Sequence, residues 1–237
     1  MYVRIKRFGI SAVLFRPHRE RTWLVSAALV PVLAAAACGG ASRQAQTSPS
    51  PSATAASHPS WTSIDRSAIG FSVQVPPRWD EASSSTMSQL LKNNPNVPSD
   101  LTTQLRSALA NDAIKLYVLD FDADVSDQRF VTNFNVIQQS IPSGTTLQFY
   151  ADANANQIQH LSAFHPPLDE ASVALPAGKA VRIHYAFDIA TLTADITQFV
   201  FVHGTSAYIL TFTTLPDRLE RVLATFRAIA ETFRFTS

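Results

Sequence analysis

A single cysteine, Cys38, excludes any internal disulfide, so the folded part of the chain is stabilised by its core alone. A hydrophobic content of 46% is enough to build one. Glycine is scarce too, with seven in 237 residues. None forms a Walker loop or a Gly-x-Gly-x-x-Gly turn, so a backbone cradle for phosphate is not expected. Gly-x-Ser-x-Gly and Ser-x-x-Lys are absent, which leaves a hydrolase elbow unsupported. The histidines beyond residue 60 are His160, His165, His184 and His203. They show no His-x-x-x-His spacing and have no cysteine to join them in a metal site. No apolar run reaches the roughly 20 residues that a membrane helix needs. No basic stripe with interleaved aromatics is present either. Six of the 19 basic residues and one of the 18 acids precede Cys38, which leaves 13 against 17 and a net charge of −4 after it. A mildly acidic body excludes nucleic acid as the expected partner.

What is present begins with a leader. Arg4, Lys6, Arg7, Arg16, Arg19 and Arg21 face one acid, Glu20, and Trp23 to Ala37 carries no charge. A basic n-region, an apolar h-region and small residues at the exit are the parts of a secretory signal, here residues 1–37. Leu33-Ala-Ala-Ala-Ala-Cys38 resembles the lipobox of bacterial lipoproteins, in which a small-residue tripeptide precedes a cysteine that becomes diacylated. Ala35 stands where that motif usually has leucine. The resemblance implies lipidation at Cys38 and an anchor on the outer face of the cell membrane. Each buried CH₂ of the acyl chains contributes about 0.8 kcal/mol, so two or three chains hold firmly. The alternative is an ordinary signal peptide cut after one of the alanines, with Cys38 left as a free thiol.

Residues 38–60 follow as the lipidated cysteine and a linker made almost wholly of Ala, Ser, Thr, Pro, Gly and Gln. Such a segment buries too little apolar surface to offset the entropy of ordering it. As a flexible coil it spans roughly 25 Å. A glycosylated Ser/Thr-Pro stalk fits the same composition.

The body, residues 61–237, reads as one α+β domain. Phe71, Val73 and Val75 alternate with polar residues as in a half-buried strand, and Pro76-Pro77 ends it. A Ser/Asn/Pro-rich stretch follows with two short helical pieces, one around Leu90-Leu91 and one with Leu101, Leu105 and Leu109 on its face. Strands are expected over Ile114–Asp122 and Asn133–Ile141, and a helix over Thr145–Leu161 whose apolar stripe Asn154 interrupts. Pro166-Pro167 is expected to close that region before a strand at Glu170–Leu175. Val181, Ile183, Tyr185 and Phe187 alternate, and Ile196–Phe201 and Ala207–Thr213 form a hairpin around Gly204. The last helix repeats Leu219, Val222, Leu223, Phe226, Ile229, Ala230 and Phe233 at three-four spacing, with Arg218, Glu220, Arg221, Arg227 and Glu231 facing away. Thr214-Leu-Pro-Asp217 has the form of a capping box for it. Single-face alternation in the strands points to antiparallel pairing under helices.

Three groups invite a functional reading. Asp120, Asp122 and Asp124, with Asp127 nearby, offer hard oxygen ligands, but a calcium loop of the helix-loop-helix kind needs a central glycine and a glutamate at its twelfth position. Val125 and Val131 stand there, and a solvated strand end is the simpler reading. Trp61 and Trp79 suggest stacking on a ligand such as a sugar; Trp79, after a strand and a double proline, reads as a plug at the end of the core. His184 and His203 fall on neighbouring strands, and simple register would set Phe201 opposite His184.

Three stretches carry a wider resemblance: Gly70-Phe-Ser-Val-Gln-Val-Pro-Pro-Arg-Trp79, the run from Val131 to Leu161, and the closing hairpin followed by Leu219 to Phe235. Together they resemble the PsbP-like superfamily, and more narrowly its actinobacterial secreted lipoproteins of the LpqN/LpqT type. The resemblance implies an antiparallel sheet sandwiched between helices. It also implies a non-catalytic accessory role, with no cofactor and no inherited functional residue. The expected partners are the lipid bilayer, through acylated Cys38, and other cell-envelope proteins. The alternative is a small-molecule or lipid carrier with a pocket between sheet and helices; a hydrolase with scattered residues is a third reading.

Overall fold

Alternation of apolar and polar residues recurs from Phe71 onward, and in the computed structural model it becomes two antiparallel sheets. The structure describes residues 58–83, 112–121, 130–189 and 192–236. All belong to the second of the two units into which the chain divides, Ala45–Ser237. Cys38, the leader, most of the linker, the two helical pieces between the first strands and Asp122, Asp124 and Asp127 lie outside the described residues.

The strands are β1 (Thr62–Arg66), β2 (Phe71–Val75), β3 (Trp79–Glu81), β4 (Ile114–Asp120), β5 (Asn133–Ser140), β6 (Phe164–Leu175), β7 (Gly178–Ile189), β8 (Leu192–His203), β9 (Ser206–Thr214) and β10 (Arg234–Phe235). Among the described residues two α-helices join them, α1 (Leu147–Gln159) and α2 (Leu219–Thr232). β1, β2 and β10 form a small sheet, and the other seven run in the order β3-β4-β5-β9-β8-β7-β6. The fold is α+β, with an antiparallel sheet between helices. β1, β3 and β10 are short strands that the residue pattern did not announce. No helix among the described residues is long and apolar enough to cross a membrane.

The large sheet is covered on both faces. On one, α1 lays Ala151, Ala155 and Ile158 over Val181, Ile183, Tyr185, Ile196 and Val200. Asn154 sits on that inward stripe because its amide donates to Gln198 Oε1 at 2.8 Å. On the other, α2 and the small sheet close over Leu116, Val118, Phe134, Val136, Phe199, Leu210 and Phe212. Phe233, the residue after α2, lies between Phe71 and Phe201, with centroids at 5.5 and 5.4 Å. Gly70 ends a short 3₁₀ turn at φ +91°, where a side chain would be strained. A Cβ there would lie 2.8 Å from the Tyr208 hydroxyl.

Several expectations are corrected. α1 is shorter than Thr145–Leu161, because Thr146 caps it by accepting from the Phe149 N–H at 3.2 Å. Pro166-Pro167 interrupts nothing: both lie within β6, at the register shift between His165 and Asp169. β6 is an edge strand, where a missing N–H is tolerated. The capping box does not form. Thr214 ends β9 and its hydroxyl is held by Thr132 Oγ1 at 2.9 Å, so α2 is entered through a 3₁₀ turn, Pro216–Arg218, with no side-chain cap. Leu223, expected in the core, is 46% exposed, and Arg218, expected outside, is buried.

Candidate functional site

The apolar inner face of the large sheet turns polar at one end. Following the register across the strands, Val118, Phe134 and Phe212 form one row. The next row is Asp120, Thr132, Thr214 and Asp195, with Asp120 and the threonines buried. A cleft of about 370 Å³ opens at this end. Trp61, Pro76, Pro77 and Trp79 form one wall; Asp120 and Thr132 lie on the sheet; Arg218, Arg221, Val222 and Thr225 come from the start of α2.

Local chemistry sets each wall. Pro76 ends β2, and the chain turns so that the Trp79 N–H donates to the Pro76 carbonyl at 3.2 Å. Arg78 takes the left-handed conformation, φ 71°, that makes the turn tight. Its carbonyl accepts from the Phe121 N–H, and its guanidinium donates to the Phe121 carbonyl, both at 2.9 Å. Trp79 then pairs with Asp120. Its indole meets Phe226 edge-on at 6.3 Å and is 5% exposed, so it plugs the core as expected while also lining the cleft. Trp61 is half-buried, with the His58 ring stacked on it at 4.0 Å. Sequence reasoning named both indoles without joining them. The turn after β2 and the pairing of β1 with β2 bring them to one wall.

The residues missed are at the entry to α2, Arg218 in the 3₁₀ turn before it and Arg221 in its first turn. Arg218 is 5% exposed and donates to the Phe130 carbonyl at 3.0 Å. A usable signal was there: cations in the first turn of a helix are opposed by its dipole, so Arg218 and Arg221 at that position asked for another use. Trp79, Asp120, Thr132 and Arg218 are buried, so the groups the cleft exposes are Trp61, Pro76, Pro77, Arg221, Val222 and Thr225: one indole and two prolines beside a guanidinium and a hydroxyl. That combination suits a ring or a single side chain, held by stacking and polar contact.

A second polar cluster continues along the same sheet end. His165 Nε2 lies 2.7 Å from Asp188 Oδ2, and the Thr193 hydroxyl donates to Asp188 Oδ1 at 2.9 Å. These bonds hold the Asp188 carboxyl below its ordinary value. Arg182 pairs with Asp169. His184 faces Thr197, not Phe201, so the register expected from the sequence is off. Its Nε2 is 3.5 Å from Asp195 and its Nδ1 3.2 Å from the Thr197 hydroxyl. Thr–His–Asp invites comparison with a nucleophile triad. Thr197 is 1% exposed within the sheet, however, so its hydroxyl is not presented to a substrate. The cluster ties β7 to β8.

The remaining candidates disperse. His160 turns back to the Asn156 carbonyl at 2.7 Å, and His203 stacks on Phe235 at 4.2 Å. Among the described residues no three of His, Cys, Asp or Glu gather to hold a metal. Burial pushes the phenols of Tyr117 and Tyr150 up to about 12, and that of Tyr185 higher still.

No family model and no curated protein matches the chain. Solved structures do resemble it. PsbP (CyanoP) from Synechocystis sp. PCC 6803 aligns with a TM-score of 0.47 and 15% identity, over 80% of this chain and 98% of that one. LpqN of Mycobacterium tuberculosis, a protein involved in cell envelope biogenesis, aligns with a TM-score of 0.45 and 14% identity, over 75% of this chain and 91% of that one. A Pseudomonas aeruginosa protein described as a putative regulator aligns with a TM-score of 0.41 and 13% identity, over 73% and 94%.

Proposed function

We propose that the chain is a non-catalytic accessory module on the outer face of the cell membrane, held there by acylated Cys38, that docks other cell-envelope proteins. The division into a leader (1–37), a lipidated linker (38–60) and a binding domain (61–237) is part of this proposal. The observation that carries docking over lipid carriage is the filling of the space between sheet and helices. Fully buried Phe71, Phe134, Phe201, Phe212, Phe226 and Phe233 occupy the α2 side, and Ala151, Ala155 and Ile158 close on Ile183 and Val200 on the α1 side. The cleft between the indoles and α2 is sized for a ring or one side chain, at the small end of ligand sites. It is the recognition surface of this reading.

A photo-crosslinking residue at Thr225 in intact cells is expected to give discrete adducts with envelope proteins. Recovery of a tightly held lipid from the purified protein, with no such adducts, overturns docking. The anchor has its own test. Cys38→Ser is expected to move the protein from the membrane fraction to the soluble one, and unchanged membrane partitioning refutes acylation.

A further inference from the structure

Among the described residues the large sheet ends on β6, and its two halves treat that edge differently. The first half carries Pro166 and Pro167 at a register shift, a device that blunts an edge. The second half, Asp169 to Leu175, pairs regularly with β7 and has no proline. The hairpin closes with Leu175 opposite Gly178 over a two-residue turn, which makes that a hydrogen-bonded pair. Alternation then turns Val173, Ala171 and Asp169 inward to β7. The backbone N–H and C=O groups of Glu170, Ser172 and Ala174 point to the open edge, and all three residues are exposed.

We propose that this edge pairs with the same edge of a second copy, antiparallel about a two-fold axis at Ser172, joining two large sheets into one. In that register Ser172 faces Ser172 of the second copy and Glu170 faces its Ala174, giving about six interchain hydrogen bonds. Charge complementarity selects a second copy as the occupant. Glu170 shares its edge with Asp152 of α1; partial burial and that neighbouring charge hold its carboxyl above the usual range. Lys179 lies beside Ala174 on β7, exposed. Across the axis, the second copy's Lys179 falls in the same row as Glu170, two strands away, about 10 Å between Cβ positions. The small Ala174 between them lets both side chains reach. The two-fold repeats the pair. On the opposite side of the sheet Ala171 and Val173 would meet their counterparts, so no like charges oppose each other. The contact is independent of Cys38 and of the cleft.

A single strand pair buries less surface than a standard stable interface, so the dimer is expected to be weak and concentration-dependent. Light scattering and sedimentation on the full chain in mild detergent, up to about 100 µM, should show the protein mass doubling. Ser172→Pro removes an outward N–H while leaving the bonds to β7, and should give a monomer with an unchanged circular dichroism spectrum. Glu170→Lys should weaken the dimer about tenfold, and adding Lys179→Glu should restore it. A monomer at every concentration overturns the proposal. So does a dimer that ignores Ser172→Pro, or a charge swap that fails to rescue. Exclusive crosslinking of a Ser172→Cys variant to a different protein assigns the edge to another occupant and overturns self-pairing.

Discussion

On the α2 side of the large sheet, phenylalanine rings pack against one another: Phe134 on Phe212 at 4.6 Å, Phe212 on Phe226 at 4.8 Å, and Phe233 between Phe71 and Phe201. On the α1 side, small and branched residues meet a polar network. Asn154 donates to Gln198, and Gln198 Nε2 lies 3.4 Å from both the Tyr185 and Thr211 hydroxyls. One sheet therefore carries two kinds of interior. The aromatic side gains from area and dispersion, which tolerate no void. The other depends on every polar group finding a partner. Gly70 and the Tyr208 hydroxyl show how tightly the first is closed.

The comparison breaks most visibly at Phe233. Phe233→Ala leaves a cavity shared by two sheets, and a loss of about 3–5 kcal/mol is expected in urea unfolding. Gly70→Ala tests the same side by overfilling it. The strained φ and the contact with Tyr208 should cost about 2 kcal/mol, read as a lower denaturation midpoint at unchanged slope. Asn154→Ala attacks the other side, where the buried Gln198 carbonyl oxygen loses its donor; about 1 kcal/mol is expected. A loss as large as that of Phe233→Ala would erase the distinction. Alkali tests burial without mutation. The phenols of Tyr117 and Tyr150 titrate near pH 12 when folded and near pH 10 when unfolded. Stability carried by their neutral forms is full below pH 10 and is lost as pH rises from 10 to 12, measured as falling melting temperature. The smallest effect belongs to Asp188, at the exposed strand end. Its carboxyl is depressed, so its contribution is present above the unfolded value and lost as pH falls through the folded one. Asp188→Asn should lower the melting temperature slightly at pH 7 and not at all in strong acid.

Strands with one buried face were readable because their side-chain period is two: β2, β4, β5, β7, β8 and β9 were all anticipated to within a few residues. β1 and β3 were not, because Thr62–Arg66 and Trp79–Glu81 have too few residues to show a period and exist through their partners. Of the site, Trp61, Trp79 and Asp120 were named as types of residue. Their convergence was invisible, since it depends on a turn at Pro76–Arg78 and on register between distant strands. Arg218 was misplaced because it precedes the helix, in the 3₁₀ turn Pro216–Arg218, where the three-four spacing does not apply. It faces the end of the sheet, where the interior is already polar.

Residue order alone carried the class of the fold and most of the residues in its core, Leu223 and Arg218 being the exceptions. Alternation and three-four spacing act over a few residues, and burying apolar faces leaves few other arrangements. Tertiary structure decided which strands are edges, which threonine stands opposite His184, and that two tryptophans share a wall with a helix start. Those outcomes rest on pairings between segments far apart in the chain, whose register is set by the packing of the whole sheet.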